Sequence, residues 1–238
     1  MTPENALKKL LQQRISAALT DAAVLMRETS EQLLARLDFM SLQPKVIVDI
    51  YDGAELLAQR YPGSQVVTMD PVSSLSLSQH TVDLLVANLV LPWCAEPEKL
   101  LRVWQSLLRA DGVFICASLG PDTLHELQGQ SFIMPHFIDM HDVGDMLMHA
   151  GFKDPVLDVE RMTMTYRDRA QLLSELQVTG MIMGDMSQVA LQKNADDVYS
   201  VTYEVIFGHA FGSDSAGGYG ADEEGIVRIP VTHLSRKK

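Results

Sequence analysis

Apolar positions along this chain repeat with two periods. Residues 4–27 place Leu7, Leu10, Leu11, Ile15, Leu19 and Met26 on one face at helical spacing, with Lys8, Lys9 and Arg14 elsewhere. Such a stripe predicts an amphipathic helix that packs on something. A second helical pattern covers Glu28–Met40, with Leu33, Leu34 and Leu37 inward and Ser30 as its N-cap. Gln43-Pro44-Lys45 stops it. The run VIVDI (46–50), apolar with an acid near its tip, predicts a buried parallel strand.

From there the periods alternate. A helical segment at 54–61 precedes Pro62-Gly63 and the strand QVVTMD (65–70), and a short polar stretch leads to a strand over 82–91. Helix 96–109 ends at Asp111-Gly112, and strand 113–119 follows. Strand and helix at this cadence imply βαβ units and a parallel sheet covered on both faces. Helix 139–150 is opened by Asp139 or His141 and closed by Gly151; strand 155–166 and helix 168–179 come next. Two strand patterns, 199–211 and 225–234, flank the Gly-rich acidic stretch SDSAGGYGADEE and predict a closing antiparallel hairpin.

Composition narrows the function classes. The 238 residues are 47% apolar and 21% charged, an ordinary balance for a folded domain. With 31 acidic residues against 19 Lys plus Arg, the formal charge is −12. Duplex nucleic acid is an unsuitable partner, because phosphate neutralisation needs a basic footprint. Arg236, Lys237 and Lys238 are too few to reverse this. Cys94 and Cys116 lie in apolar runs and read as free thiols in a reducing compartment. The segment MTPENALKKLLQQRIS lacks the apolar core of a signal peptide, and no apolar run reaches the roughly 18 residues of a membrane span. A cytoplasmic protein is expected. With no repeat and no linker, the pattern predicts one domain over residues 1–238, a helical cap (1–43) on an α/β core (44–238).

The order of segments resembles that of class I S-adenosylmethionine-dependent methyltransferases. NLVLPWCAEPEKLLRVWQSLLRADGVFICASLGPDTLHEL (88–127) is similar to the malonyl-acyl-carrier-protein O-methyltransferases of biotin synthesis, a group that shares its pattern with methyltransferase-like assembly factors of respiratory complex I. RETSEQLLARLDFMSLQPKVIVD (27–49), HFIDMHDVGDMLMHAGFKDPVLDVERMTMTY (136–166) and TYEVIFGHAF (202–211) look like the same group. The resemblance implies a Rossmann-like sheet with helices on both faces, and S-adenosylmethionine as cofactor of an active member. It also implies a cofactor site of Asp49, Gly53, Asp70, Asn88 and Leu89, and a substrate-facing set of Trp93, Gly120, Asp122 and Thr123.

Three departures cluster at that site. Members of the group read D-x-G-x-G-x-G after the first strand, where glycine lets the backbone approach the cofactor closely. Here Asp49-Ile50-Tyr51-Asp52-Gly53-Ala54-Glu55 retains Gly53 alone, and the turn is a few residues short. Asp70 matches the acid that accepts two hydrogen bonds from the ribose diol. Only PVSSLSLSQHT then precedes the next strand, too little for a further helix and third strand beside adenine. The third strand is therefore expected to be missing. Between Gly180 and Tyr199 the chain also lacks the longer Arg-containing insertion of its relatives.

The remaining chemistry-bearing residues add little. His141, Asp145 and His149 are four residues apart on one helix, but joint ligation by the two histidines is awkward over two turns, and no metal site is predicted. His125 and Glu126 fall in a predicted helix opened by Asp122 or Thr123. Methylation of an ionised carboxylate demands no general base, and no catalytic residue is nominated. Met162, Met164, Met181, Met183 and Met186 would form an adaptable apolar patch if their segments meet. An acyl carrier protein is itself acidic, so docking it requires a local basic patch, for which Arg102, Arg109, Arg167 and Arg169 are the candidates. Two readings result. One is a degenerate member that binds its cofactor weakly or not at all and acts through an acyl carrier protein or an assembly client. The other is an active O-methyltransferase on an acyl or other carboxylate.

Overall fold

Alternate residues of the apolar runs point to opposite faces of one sheet, and each face has its own helical cover. The computed structural model describes residues 24–50, 54–69, 77–130, 134–182 and 189–213. In chain order the elements are α1 (Val24–Leu37), β1 (Val46–Ile50), α2 (Ala54–Arg60), β2 (Gln65–Met69), β3 (Val82–Asn88), α3 (Pro97–Leu107) and β4 (Leu108–Leu119). Then follow α4 (Met140–Ala150), β5 (Lys153–Tyr166), α5 (Arg169–Val178) and β6 (Tyr199–Phe211), with short 3₁₀ turns at Leu91–Trp93 and His125–Leu127. The sheet order is β2-β1-β3-β4-β6-β5. The first four strands are parallel, and β6 runs antiparallel to both β4 and β5.

On one face, α1 (Leu25, Leu33, Leu37) and α5 (Leu172, Leu176) bury Ile47, Leu84, Ile115, Tyr203 and Phe207. On the other, α3 (Leu101, Trp104) and α4 (Val143, Leu147) bury Val48, Leu85, Phe114 and Ile206. Neighbouring residues of one strand thus serve different cores, which is why these runs are apolar throughout instead of alternating. The expected α/β sheet with helices on both faces is the observed one. Among the described residues β2 has β1 as its only strand neighbour, and residues 70–81 lead from it to β3, so no third strand lies beside it.

Several expectations are corrected. Ser30 is not an N-cap: α1 runs unbroken from Val24, and Ser30 is buried in its middle. Residues 4–23 lie outside the described residues. The strand expected over 82–91 stops at Asn88, because Leu89 turns into the left-handed region (φ 49°) ahead of Pro92. Helix α3 ends at Leu107, and the chain enters β4 at once, since Leu108 pairs with Val82 and Arg109 pairs with Asp83 at 2.5 Å. Asp111-Gly112 is therefore inside a strand. Gly112 suits that place because a β-carbon there would lie 2.8 Å from the Val82 carbonyl oxygen. Gly151, at φ 95°, closes α4 as expected, and Asp139 opens it by accepting from the His141 N–H at 2.8 Å. The antiparallel partners of β6 are β4 and β5; residues 225–234, the other arm of the expected hairpin, lie outside the described residues.

Two outcomes test this architecture. Cys116 faces Gly208 across the β4–β6 ladder, and burial pushes its thiol up to about 12. Native protein treated with iodoacetamide at about pH 8 will leave Cys116 unmodified by mass spectrometry, whereas protein in urea will carry the label there. A β-carbon on Gly212 would overlap the main-chain carbonyl of Arg109, which cannot swing aside as a side chain could. Gly212→Ala will lose about 1–3 kcal/mol of stability in urea unfolding, the usual range for overpacking.

Candidate functional site

In an open parallel sheet, ligands meet the carboxyl ends of the strands. The described residues of the predicted cofactor set converge there. Asp49 is buried near the end of β1, paired with Thr68 of β2 and Val86 of β3. Asn88 ends β3 beside Ala117 of β4. Leu89 follows it, fully buried, its N–H donating to the Ala117 carbonyl at 2.9 Å. A leucine at φ 49° is held in a strained conformation, which the surrounding ladder must impose. Gly53 and Asp70 lie outside the described residues.

Asn88 is committed to α1. Its Nδ2 donates to the Met26 carbonyl at 2.9 Å and to Ser30 Oγ at 2.8 Å. A carbonyl can only accept, so the amide must turn its nitrogen toward Met26. Its Oδ1 then faces away, buried and without a hydrogen-bond partner among the described residues. The same helix is held at Leu25, whose N–H donates to Glu175 Oε1 at 3.0 Å. The other carboxylate oxygen of Glu175 accepts from the Tyr166 hydroxyl at 2.8 Å. Burial, and then the Glu175 charge, push the Tyr166 phenol well up from its ordinary value. Further along α1, the Arg36 guanidinium sits 3.6 Å from the Phe207 ring centroid and reaches Asp158 at 2.6 Å and Glu160 at 2.7 Å. α1 is thus fastened to β3, α5, β5 and β6.

Three of the four predicted substrate residues, Gly120, Asp122 and Thr123, are organised by a residue the sequence did not single out, Glu204 of β6. The Gly120 N–H donates to the Glu204 carbonyl at 2.8 Å, and the Asp122 N–H donates to Glu204 Oε2 at 2.8 Å. Thr123 Oγ1 accepts from the Glu204 N–H at 3.1 Å. A β-carbon on Gly120 would overlap the Glu204 carboxylate. Asp122 also pairs with Arg161. The expected helix after Thr123 is only the turn His125–Leu127, preceded by Leu124 at φ 53°, and neither Asp122 nor Thr123 caps it. The reason is that the Asp122 carboxylate is held by Arg161 of β5 and the Thr123 hydroxyl by Glu204 of β6. Trp93 closes the Leu91–Trp93 turn, half-buried, and its Nε1 donates to the Gly180 carbonyl at 3.4 Å.

The buried acid Glu175 was also missed. Its signal was available: in RAQLLSELQV it falls between Leu172 and Leu176 on the inward face of α5. Other proposed groupings separate. Arg109 lies at the amino end of β4, whereas Arg167 and Arg169 follow the far end of β5, so the four arginines form no single patch. Arg102 approaches Glu98 of its own helix at 3.9 Å, and Arg169 donates to the Val189 carbonyl at 2.6 Å. Met181 is buried, with Met162 and Met164 packed on the same core; Met183 and Met186 lie outside the described residues. His141 pairs with Asp139 and His149 approaches Glu98, and no group able to hold a metal occurs among the described residues.

Comparison with known proteins gives this geometry its relatives. A methyltransferase domain model matches residues 31–116. The malonyl-[acyl-carrier protein] O-methyltransferase of Laribacter hongkongensis is 32% identical, covering 83% of this chain and 86% of its own. Malonyl-[acyl-carrier protein] O-methyltransferase 1 of Coxiella burnetii is 30% identical over 98% of this chain and 96% of its own. Among solved structures, the YcgJ protein of Bacillus subtilis aligns with a TM-score of 0.51 at 11% identity, covering 78% of this chain and 99% of that one. At that identity the likeness concerns the fold alone. The sheet order, the helices on both faces and the full-length matches together place this chain in the malonyl-[acyl-carrier protein] O-methyltransferase family.

Proposed function

We propose that this chain is a degenerate member of its family, with weak or absent S-adenosylmethionine binding, that acts by binding a protein partner. The observation that carries this reading is the edge position of β2, with residues 70–81 leading directly to β3. A parallel crossover already uses roughly a dozen residues, so the connection leaves nothing for a wall on the adenine side. The turn after β1 contributes a second misfit, since Gly53 is its sole glycine. The commitment of the Asn88 amide nitrogen to α1 removes a donor from the cofactor face. The residues present do not fit the cofactor, and no methyl-transfer step is assigned to them.

The partner is an acyl carrier protein or an assembly client. A formal charge of −12 and the separation of Arg109 from Arg167 and Arg169 favour a client over an acidic carrier. In this reading the chain is a single cytoplasmic domain, with residues 1–43 capping the core of 44–238. The second reading, an active O-methyltransferase on an acyl carboxylate, has one supporting observation: Asn88 Oδ1 is a buried acceptor without a partner among the described residues, beside the strained Leu89. Asp49, Asn88 and Leu89, with Gly53 and Asp70, would then hold the cofactor, and Trp93, Gly120, Asp122 and Thr123 would face the substrate.

Calorimetric titration with S-adenosylmethionine and S-adenosylhomocysteine separates the two. No saturable binding is expected down to a Kd of about 100 µM, about −5.5 kcal/mol. One-to-one binding that weakens in Asp70→Ala would establish the active reading instead. Asn88→Ala removes the two buried hydrogen bonds that reach Met26 and Ser30, and it will cost about 1–3 kcal/mol in urea unfolding. Amide exchange will rise across α1 and stay unchanged in α4, which packs on the opposite face.

A further inference from the structure

Strand β5 is long and has one side unused. It pairs with β6 from Lys153 to Tyr166, and on its other side no strand lies beside it among the described residues. Every second residue of β5 therefore turns its N–H and C=O outward, a row that invites another strand. Val156 and Val159 are 54% and 37% exposed along it. The two faces of β5 differ in chemistry. Leu157 packs on the core beneath α4, and Val159 shares its face by alternation. Asp158 and Glu160 share the opposite face with Val156, where Arg36 of α1 meets the two acids.

Strand β6 delivers the chain to this border. Phe211 pairs with Lys153, so the main chain leaves the sheet beside the first residue of β5. The sequence predicts a further strand over 225–234, a stretch outside the described residues. β6 cannot take it as a hairpin arm, because β4 and β5 occupy its two sides. The position outside β5 is two strand spacings from β6, about 10 Å, and the position outside β2 is five, about 24 Å. Residues 214–224 extend to about 35 Å, so both borders are within reach and that of β5 is the nearer.

The pattern of the segment matches β5 face for face. In a strand, Val227, Ile229 and Val231 share one face, and Ile226 and Arg228 the other. A segment entering at the Lys153 end runs parallel to β5. Its first set then continues the apolar surface of Leu157 and Val159, while Ile226 comes beside Val156 and Arg228 beside Asp158 and Glu160. Pro230 has no N–H to offer a strand beyond, and proline within a sheet is confined to the edge. We infer that residues 226–234 dock on the free edge of β5 as a parallel outermost strand, apolar toward the α4 side and with Arg228 on the acidic pair. The inference goes beyond the function proposed above and uses no residue of the cofactor or substrate sets, so it stands or falls apart from S-adenosylmethionine binding.

Amide exchange of the isotope-labelled full chain, followed residue by residue by NMR, tests it. The outward amides of β5 between Val156 and Thr165 are expected to be protected, together with alternate amides of 226–234. Nuclear Overhauser contacts are expected to join Val227 or Ile229 to Leu157 or Val159. Ile229→Asp is expected to speed exchange of the outward β5 amides by about tenfold or more and to leave the amides bonded to β6 unchanged. Unprotected outward amides in the unaltered chain would overturn the inference. So would protection that survives Ile229→Asp, contacts from the segment to β2, or protection that appears only as the chain dimerises.

Discussion

The ladder of β6 is the constraint on which the rest of this structure depends. It pairs antiparallel with β4 from Val113 to Leu119 and with β5 along its whole length, so it joins the parallel half of the sheet to its outer strand. Its inward residues Val201, Tyr203, Val205 and Phe207 form the floor on which α1 and α5 rest. Its amino-terminal part outruns β4, and residues Gly120 to Leu124 take over the vacated pairing positions, Gly120 on the Glu204 carbonyl and Leu124 on that of Thr202. That single strand therefore fixes a core, a loop and one end of the candidate substrate face.

Polar groups do the fastening where apolar burial gives no direction. Leucines hold α1 against the sheet, but hydrophobic contact leaves its rotation and slide loosely defined. Glu175 and Asn88 bind the first turns of the helix, and Arg36 its last, each to a different element. Glu175 is the costly member, a buried carboxylate satisfied by a backbone N–H and a phenol without a neutralising cation among those bonds. Such a group specifies one docking geometry, since any other arrangement would leave the charge unsolvated.

Much of the framework was legible in the sequence. VIVDI, VDLLVAN and VFICASL are strands because apolar runs without alternation suit a sheet buried on both faces, and the Gly151 and Asp139 helix boundaries follow from local backbone chemistry. What local patterns could not show was decided by distant partners. Leu108–Gly112 reads as the end of a helix and a turn, yet Val82 draws it into a strand. Ser30 reads as a cap, yet Asn88 recruits it from 58 positions away. Asp122 and Thr123 carry the residue types of a helix start, but Arg161 claims the first side chain and Glu204 the second. The candidate site is legible only in part for the same reason, because Glu175 and Glu204 owe their significance to pairings across the fold.

The terminal position of β2 has a topological meaning. An interior strand is stitched on both sides, and its removal would split the sheet into two pieces with unmatched borders. A peripheral one contributes a single seam, and β2 adds five short rungs to β1. A Rossmann-like sheet of this order is therefore modular at that margin: strands can be shed or added outside β2 while every pairing from β1 to β5 stays in register. The margin outside β2 is thus the part of the sheet that mechanical integrity needs least, and a strand can be lost there while the rest still folds.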